Sequence, residues 1–207
     1  MILVGQYDSP FVRRVGIALR LYGIAFDHRP LSVFADAEAV RALNPLMRVP
    51  VLVLPDGLPL ADSHMMLDYL DNLVPEADAM FPRREPDRHL ALRVATMATG
   101  LADKAVSLFY ERRLHALTSP VWEARCRAQI VSVLNALEAD RAARPGPWWF
   151  ADRLGHADIA VACALRFVAE VHPGMIGETH PNLMRHATTM EEMAVFREMS
   201  QPFTAPA

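Results

Sequence analysis

The stretch Tyr7-Asp8-Ser9-Pro10-Phe11-Val12-Arg13-Arg14 sets a serine and a proline where a short apolar segment, Met1 to Tyr7, hands over to an amphipathic pattern. Proline is welcome in a first helical turn because its missing N–H would have no intrahelical partner there. Ser9 therefore falls at the N-cap, where a side-chain oxygen accepts from a free backbone N–H. A helix N-terminus also favours negative charge, so an anion placed beside Ser9 would be stabilised. Two readings stay open at this point: an ordinary helix cap, and a hydroxyl presented to an anionic ligand.

Working outward, Val12, Val15, Leu19 and Tyr22 recur at steps of three and four, with Arg13 and Arg20 expected off that apolar face and Gly23 ending the helix. Phe26 to Leu31 reads as a second strand and Ala35 to Leu43 as a short helix stopped at Asn44-Pro45. Pro50 opens the buried strand Val51-Leu52-Val53-Leu54, and Asp56-Gly57 turns the chain into a fourth strand at Leu58 to Leu60. A helix then starts at Asp62-Ser63 with Met66, Leu70 and Leu73 or Val74 on one face. Pro75, Pro82 and Pro86 punctuate a polar stretch that reads as a linker.

Beyond it the grammar is helical. Asp87 to Leu117 and Pro120 to Arg144 form an antiparallel pair broken at Thr118-Ser119, and Ala157 to Val171 is apolar almost all round, as a central buried helix should be. Trp148-Trp149-Phe150 is expected to seal this bundle, with ligand stacking as the alternative.

The 207 residues are 52% hydrophobic with a formal net charge of −3, enough for one large or two small domains and without the basic tract that nucleic acid would demand. No apolar run approaches the ~20 residues of a membrane span, and the expected location is cytoplasmic. Cys126 and Cys163 lie too far apart to imply a disulfide framework; Cys163 reads as core, and Cys126, between two arginines, as buried or as a reactive thiol. His172, His180 and His186 lack the close spacing of a zinc motif and are assigned to the surface.

In this order the parts resemble the glutathione S-transferase superfamily over nearly the whole chain. Tyr7 to Arg14 is similar to the serine-type active-site segment of bacterial members; Asn44-Pro45 to Val53 resembles the family's Asn-Pro-x-x-x-Val-Pro-x-Leu segment; Ala61-Asp62-Ser63 resembles its acidic-Ser helix start. Gly155 to Ala160 is similar to a Ser/Thr-x-x-Asp capping motif, and His180-Pro181-Asn182-Leu183 to a near-terminal Pro-x-Leu helix. Two departures stand out: Gly155 replaces the capping hydroxyl, leaving Asp158 to cap alone, and Ala151 stands where glycine is common.

The resemblance implies an α/β thioredoxin-like N-terminal domain over residues 1–78, a linker at 79–86 and an all-helical C-terminal domain over 87–207. Thioredoxin-like relatives carry Cys-x-x-Cys at the first strand-to-helix junction; this chain has no cysteine there, which removes dithiol cycling. Glutathione is then a co-substrate, with no tightly bound cofactor and no metal. Ser9 is the implied catalytic residue, donating a hydrogen bond to the glutathione sulfur, and Tyr7 is the rival donor and a candidate pocket residue. Ser9, Phe11, Arg48, Val49, Pro50, Asp62 and Ser63 would hold glutathione: the Val49 main chain as an added strand beside a cis Val49-Pro50 bond, Asp62 and Ser63 at the γ-glutamyl end, Arg48 at a carboxylate. Capping alone would also explain Asp62 and Ser63. Phe109, Tyr110 and Arg113 are candidates to line an electrophile pocket, though their spacing suits a helix core equally.

Asp103 is a candidate contact to glutathione across a homodimer. The implied activity is conjugation of glutathione to a small electrophile in detoxification; reduction of a peroxide or disulfide by glutathione, and a non-catalytic glutathione-binding module, are the alternatives.

Overall fold

The computed structural model describes residues 1–150 and 152–205, so Ala151 lies outside the described residues. The chain divides into two compact units, Met1–Arg83 together with the segment from Met193 on, and Arg84–Glu192.

The first unit alternates β1 (Ile2–Val4), α1 (Pro10–Leu21), β2 (Asp27–Arg29), α2 (Ala37–Leu43), β3 (Val51–Val53), β4 (Pro59–Ala61) and α3 (Ser63–Asp71). Its mixed sheet has the order β2-β1-β3-β4, with Leu3 opposite His28 in the parallel pair and opposite Leu52 in the antiparallel one. Strand β2 is half the expected length. Leu3, Val4, Val51 and Leu52 are fully buried, and α1 covers them with Val12, Val15 and Leu19. The Asp56-Gly57 turn forms as expected: Gly57 takes φ +88°, and Leu54 N–H reaches Leu58 O at 2.9 Å.

Three expectations need correction here. Arg13 and Arg14 are buried, at 2% and 1% exposure; Arg13 donates to the Met199 and Phe196 carbonyls, and Arg14 Nη1 donates to Ser63 Oγ. Helix α3 stops at Asp71, which leaves Leu73 exposed while Met66, Leu67 and Leu70 make the core face. The stretch expected as linker begins with packed residues: Ala79, Met80 and Phe81 are buried, and Phe81 N–H donates to Asp71 Oδ2 at 3.1 Å. Proline spacing announced a break, but the apolar Ala-Met-Phe anchors that half of it.

The second unit holds α4 (Asp87–Leu114), α5 (Pro120–Ala142), α6 (His156–Val171) and α7 (Pro181–Glu191). Helix α6 is buried from His156 through Leu165, as its composition requires. Asp158 closes its N-terminus: Oδ2 accepts from Gly155 N–H at 3.0 Å and Oδ1 from Trp149 N–H at 2.8 Å. Of the aromatic triplet only Trp149 is sealed in, donating from Nε1 to Asp140 Oδ1 at 2.8 Å, while Trp148 and Phe150 are half-buried.

The histidines overturn the surface assignment. His172, His180 and His186 are all buried, their Nε2 atoms respectively 2.9 Å from Ala105 O, 3.1 Å from Asn135 Oδ1 and 3.1 Å from Asp158 O. Long-range backbone and amide partners, invisible to local spacing, make burial tolerable. Cys126 and Cys163 are buried too, and burial pushes the Cys126 thiol up, against the reactive-thiol reading. The last helix, α8 (Ala194–Glu198), and the residues after it pack on the first unit, where 87–207 was expected to be one helical domain. Phe196, fully buried against α1, is the physical reason.

Candidate functional site

Helix α1 begins as its sequence dictates. Ser9 is half-buried, with extended backbone at φ −71° and ψ 121°, and its Oγ accepts from Val12 N–H at 3.4 Å. That bond is long and weak, and among the described residues the Ser9 hydroxyl hydrogen is given to no acceptor. The first turn of α1 carries no acidic side chain, so nothing within it offsets the N-terminal partial charge. A donor and a positive helix end therefore stand together.

Tyr7 is directed elsewhere. Its ring stacks on His28 with centroids 4.0 Å apart, and Cε1 and Cζ lie 2.7 and 3.3 Å from where a Cβ on Gly16 would be. Gly16 is seven residues past Ser9, roughly 10 Å along the helix at the usual rise. Burial pushes the Tyr7 hydroxyl up to about 12, with Arg20 opposing and Glu198 adding to the rise. It is a packing group of α1 with a phenol that resists ionisation.

The peptide bond Val49-Pro50 is cis. Strand pairing starts at Val51, opposite Val4, which leaves the Val49 main chain beyond the end of the β1–β3 ladder. Asn44, buried, shapes the approach: Nδ2 donates to Arg48 O at 2.8 Å and Oδ1 accepts from Leu46 N–H at 3.1 Å. Gly5, at φ +122°, lets this loop come close, since a Cβ there would meet Val49 Cβ at 2.8 Å and Val12 Cγ2 at 2.6 Å. The absent side chain thus brings Val49 beside the first turn of α1.

Asp62 caps α3, accepting from His64 N–H at 2.8 Å, and takes the left-handed φ of +70° that a non-glycine residue adopts only when its surroundings impose it. Its carboxylate is exposed while Ser63 is buried. Ser63 Oγ accepts from Arg14 Nη1 at 3.3 Å, which ties the start of α3 to α1. Phe11 is half-buried on the first turn of α1, and Arg48 is exposed on the loop before Val49.

Helix α1 thus ties two of these positions to the Ser9 end of the unit: Val49 lies beside Val12 at the Gly5 approach, and Ser63 is held by Arg14. Phe109, Tyr110, Arg113 and Asp103 belong to α4 of the second unit, where Phe109, Tyr110 and Asp103 are half-buried and Arg113 is exposed. Gly5, Arg14 and Asn44 carry supporting roles that the sequence reading does not assign. A glycine between a strand and a serine turn was the one readable signal. Among the described residues no group of His, Cys, Asp and Glu could hold a metal, and no helix is long and apolar enough to cross a membrane.

Comparison with known proteins assigns the chain to a family. The family model for the glutathione S-transferase N-terminal domain matches residues 3–78, and that for the C-terminal domain matches residues 120–188. The GST-like protein YibF of Escherichia coli K12 is 30% identical over 208 residues, covering 98% of this chain and 99% of the relative. A crystal structure of a glutathione S-transferase from Methylobacillus flagellatus with GSH bound superposes with a TM-score of 0.87 at 28% identity, over 96% of this chain and 98% of that one. A glutathione transferase family member from Pseudomonas fluorescens Pf-5, with bound S-(propanoic acid)-glutathione, gives 0.74 at 29% identity, over 98% and 100%. Two family models that together span most of the chain, and a relative 30% identical over nearly the full length of both proteins, show that this chain belongs to the glutathione S-transferase superfamily.

Proposed function

We propose that the protein binds glutathione as the thiolate and transfers it to a small electrophilic carbon, with Ser9 as the catalytic residue. The observation that carries this reading is the uncommitted Ser9 hydroxyl hydrogen at the N-terminus of α1. The hydroxyl donates to the glutathione sulfur while the helix end favours its negative charge. A free thiol has a pKa near ~8.5, and such surroundings bring thiols to about 7.5 or below, a gain of about 1.4–2.7 kcal/mol for one to two units. The thiol proton leaves to solvent, sulfur forms a bond to the electrophilic carbon, and the displaced group departs with its electron pair.

The Val49 amide and carbonyl pair with the cysteinyl backbone beside the cis-proline. Ser63 and the first amides of α3 hold the γ-glutamyl carboxylate, Asp62 its ammonium, and Arg48 a second carboxylate, with Phe11 alongside. The Tyr7 position, packed along α1 with a raised pKa, favours Ser9 over Tyr7 as the sulfur's partner. Solved relatives that hold GSH and a glutathione thioether support both the ligand and the reaction class. The reading includes a cytoplasmic homodimer in which Asp103 approaches the neighbouring glutathione, and Phe109, Tyr110 and Arg113 line the electrophile pocket.

A mixed-disulfide reductase would need an accessible thiol, whereas both cysteines are buried. The test is a pH titration of the ultraviolet absorbance of bound glutathione thiolate, in wild type and Ser9→Ala. Ionisation one to two units below free glutathione, reversed by the substitution, is the expected result. Binding with an unshifted pKa would make the protein a non-catalytic glutathione-binding module.

A further inference from the structure

The end of the chain returns to the residues that flank Ser9. Arg13 Nε and Nη2 donate to the carbonyls of Met199 and Phe196, both at 2.8 Å, with the guanidinium 5.4 Å from the Phe196 ring centroid. A cation thus closes the C-terminal end of α8, where free carbonyls favour positive charge. Arg20 pairs with Glu198, and Met199 Sδ lies 3.3 Å from where a Cβ on Gly16 would stand. These contacts explain how α8 is held.

They leave the course of the chain after α8 unexplained. Beyond Glu198 the described chain has no regular element, yet it meets the two residues immediately before Ser9. Gln201 Oε1 accepts from Tyr7 N–H at 3.3 Å, and Thr204 N–H donates to Asp8 Oδ2 at 3.2 Å. Ser9 is bracketed, with positions 7 and 8 held on one side and Arg13, whose N–H bonds Ser9 O at 2.9 Å, on the other. The Asp8 carboxylate matters electrostatically, because a negative charge turned toward a bound thiolate would raise the thiol pKa.

We infer that Phe196–Thr204 is a positioning strap that fixes the Tyr7–Ser9 junction and the Asp8 carboxylate, so that the junction stabilises a bound thiolate, with Gln201 and Thr204 its positioning residues. The inference rests on the reading of this junction as the thiolate site. It adds that a segment about 190 residues away in sequence tunes that site without touching the sulfur.

Full-length Gln201→Met keeps the side-chain size and removes the acceptor, and Thr204→Pro removes the N–H given to Asp8. Each is titrated with glutathione by thiolate absorbance beside wild type and Ser9→Ala, with glutathione Kd measured at a pH where the thiol is protonated. Gln201→Met and Thr204→Pro are expected to raise the bound thiol pKa by about half to one unit, a threefold to tenfold loss of thiolate below the pKa. Kd should stay within about twofold, a split between thiol pKa and binding that lost packing would not show. Wild-type pKa values in both Gln201→Met and Thr204→Pro, with Ser9→Ala shifted, would overturn the strap and leave Ser9 standing. Shifts in the strap variants with none in Ser9→Ala would overturn the role of Ser9 and keep the strap, acting through the α1 amides.

Discussion

Two glycines show how single residues shape the first unit. Gly16 sits inside α1, where alanine would ordinarily stabilise by about 1 kcal/mol. Its Cβ would stand 2.7 Å from Tyr7 Cε1, an atom of a ring already stacked on His28. Overpacking of this kind costs about 1–3 kcal/mol, so Gly16→Ala is expected to be net destabilising in urea denaturation, against the helix-propensity rule. Gly5→Ala meets both a positive φ and two contacts under 3.0 Å, one of them to Val49. Because the displaced neighbour is the proposed peptide-binding main chain, weaker glutathione binding is expected along with lower stability; a calorimetric Kd equal to wild type would contradict the role given to Val49. Ser9 was legible as a cap because an N-cap is written in adjacent residues. The burial of Arg13 and Arg14 was not, since their partners, Met199 and Ser63, are 186 and 49 residues away.

At the scale of elements, the start of α6 joins two groups whose ionisation opposes. Burial pushes Asp158 up to about 6, and burial pushes His186 down to about 4. For Asp158 the folded pKa exceeds the ordinary 3.8, so its contribution is present at low pH and is lost as pH rises from 3.8 to 6. For His186 the folded value lies below 6.5, so its contribution is present above 6.5 and is lost as pH falls toward 4. The two slopes nearly cancel between pH 4 and 6. In His186→Asn the carboxylate stands alone, and stability should fall by roughly 2–3 kcal/mol across that window. Trp122, Trp148 and Trp149 all lie in the second unit, so tryptophan fluorescence during denaturation reads this directly.

A second joint lies between α5 and α7: Glu138 accepts from Asn182 N–H at 3.1 Å, Leu183 N–H at 2.9 Å and Asn182 Nδ2 at 2.6 Å. Burial alone would raise this carboxyl, and the donated bonds hold it below the ordinary range. Glu138→Ala should cost about 1–3 kcal/mol by stranding the first amides of α7, again read by tryptophan fluorescence.

For the whole molecule, the chain's two ends meet in one unit. Phe196 is fully buried there, so Phe196→Ala is expected to destabilise by about 3–5 kcal/mol the unit built from the first 83 residues. Amide exchange at Leu3, Leu19 and Leu52 would report it; unchanged protection there would show that α8 contributes little. The alternation of strands and helices up to Asp71, the helices α4, α5 and α6 after Pro86, the Ser9 cap, the Val49-Pro50 segment and the Asp62-Ser63 start were all determined by the sequence itself. Each is encoded within a turn or two of chain by caps, prolines and apolar period. Tertiary structure alone decided that Tyr7 turns along α1, that Arg14 backs Ser63, that three histidines are buried, and that the last residues bracket Ser9. Those outcomes depend on hydrogen bonds and contacts between residues far apart in the chain, up to 194 positions for Tyr7 and Gln201, and no local pattern carries that information.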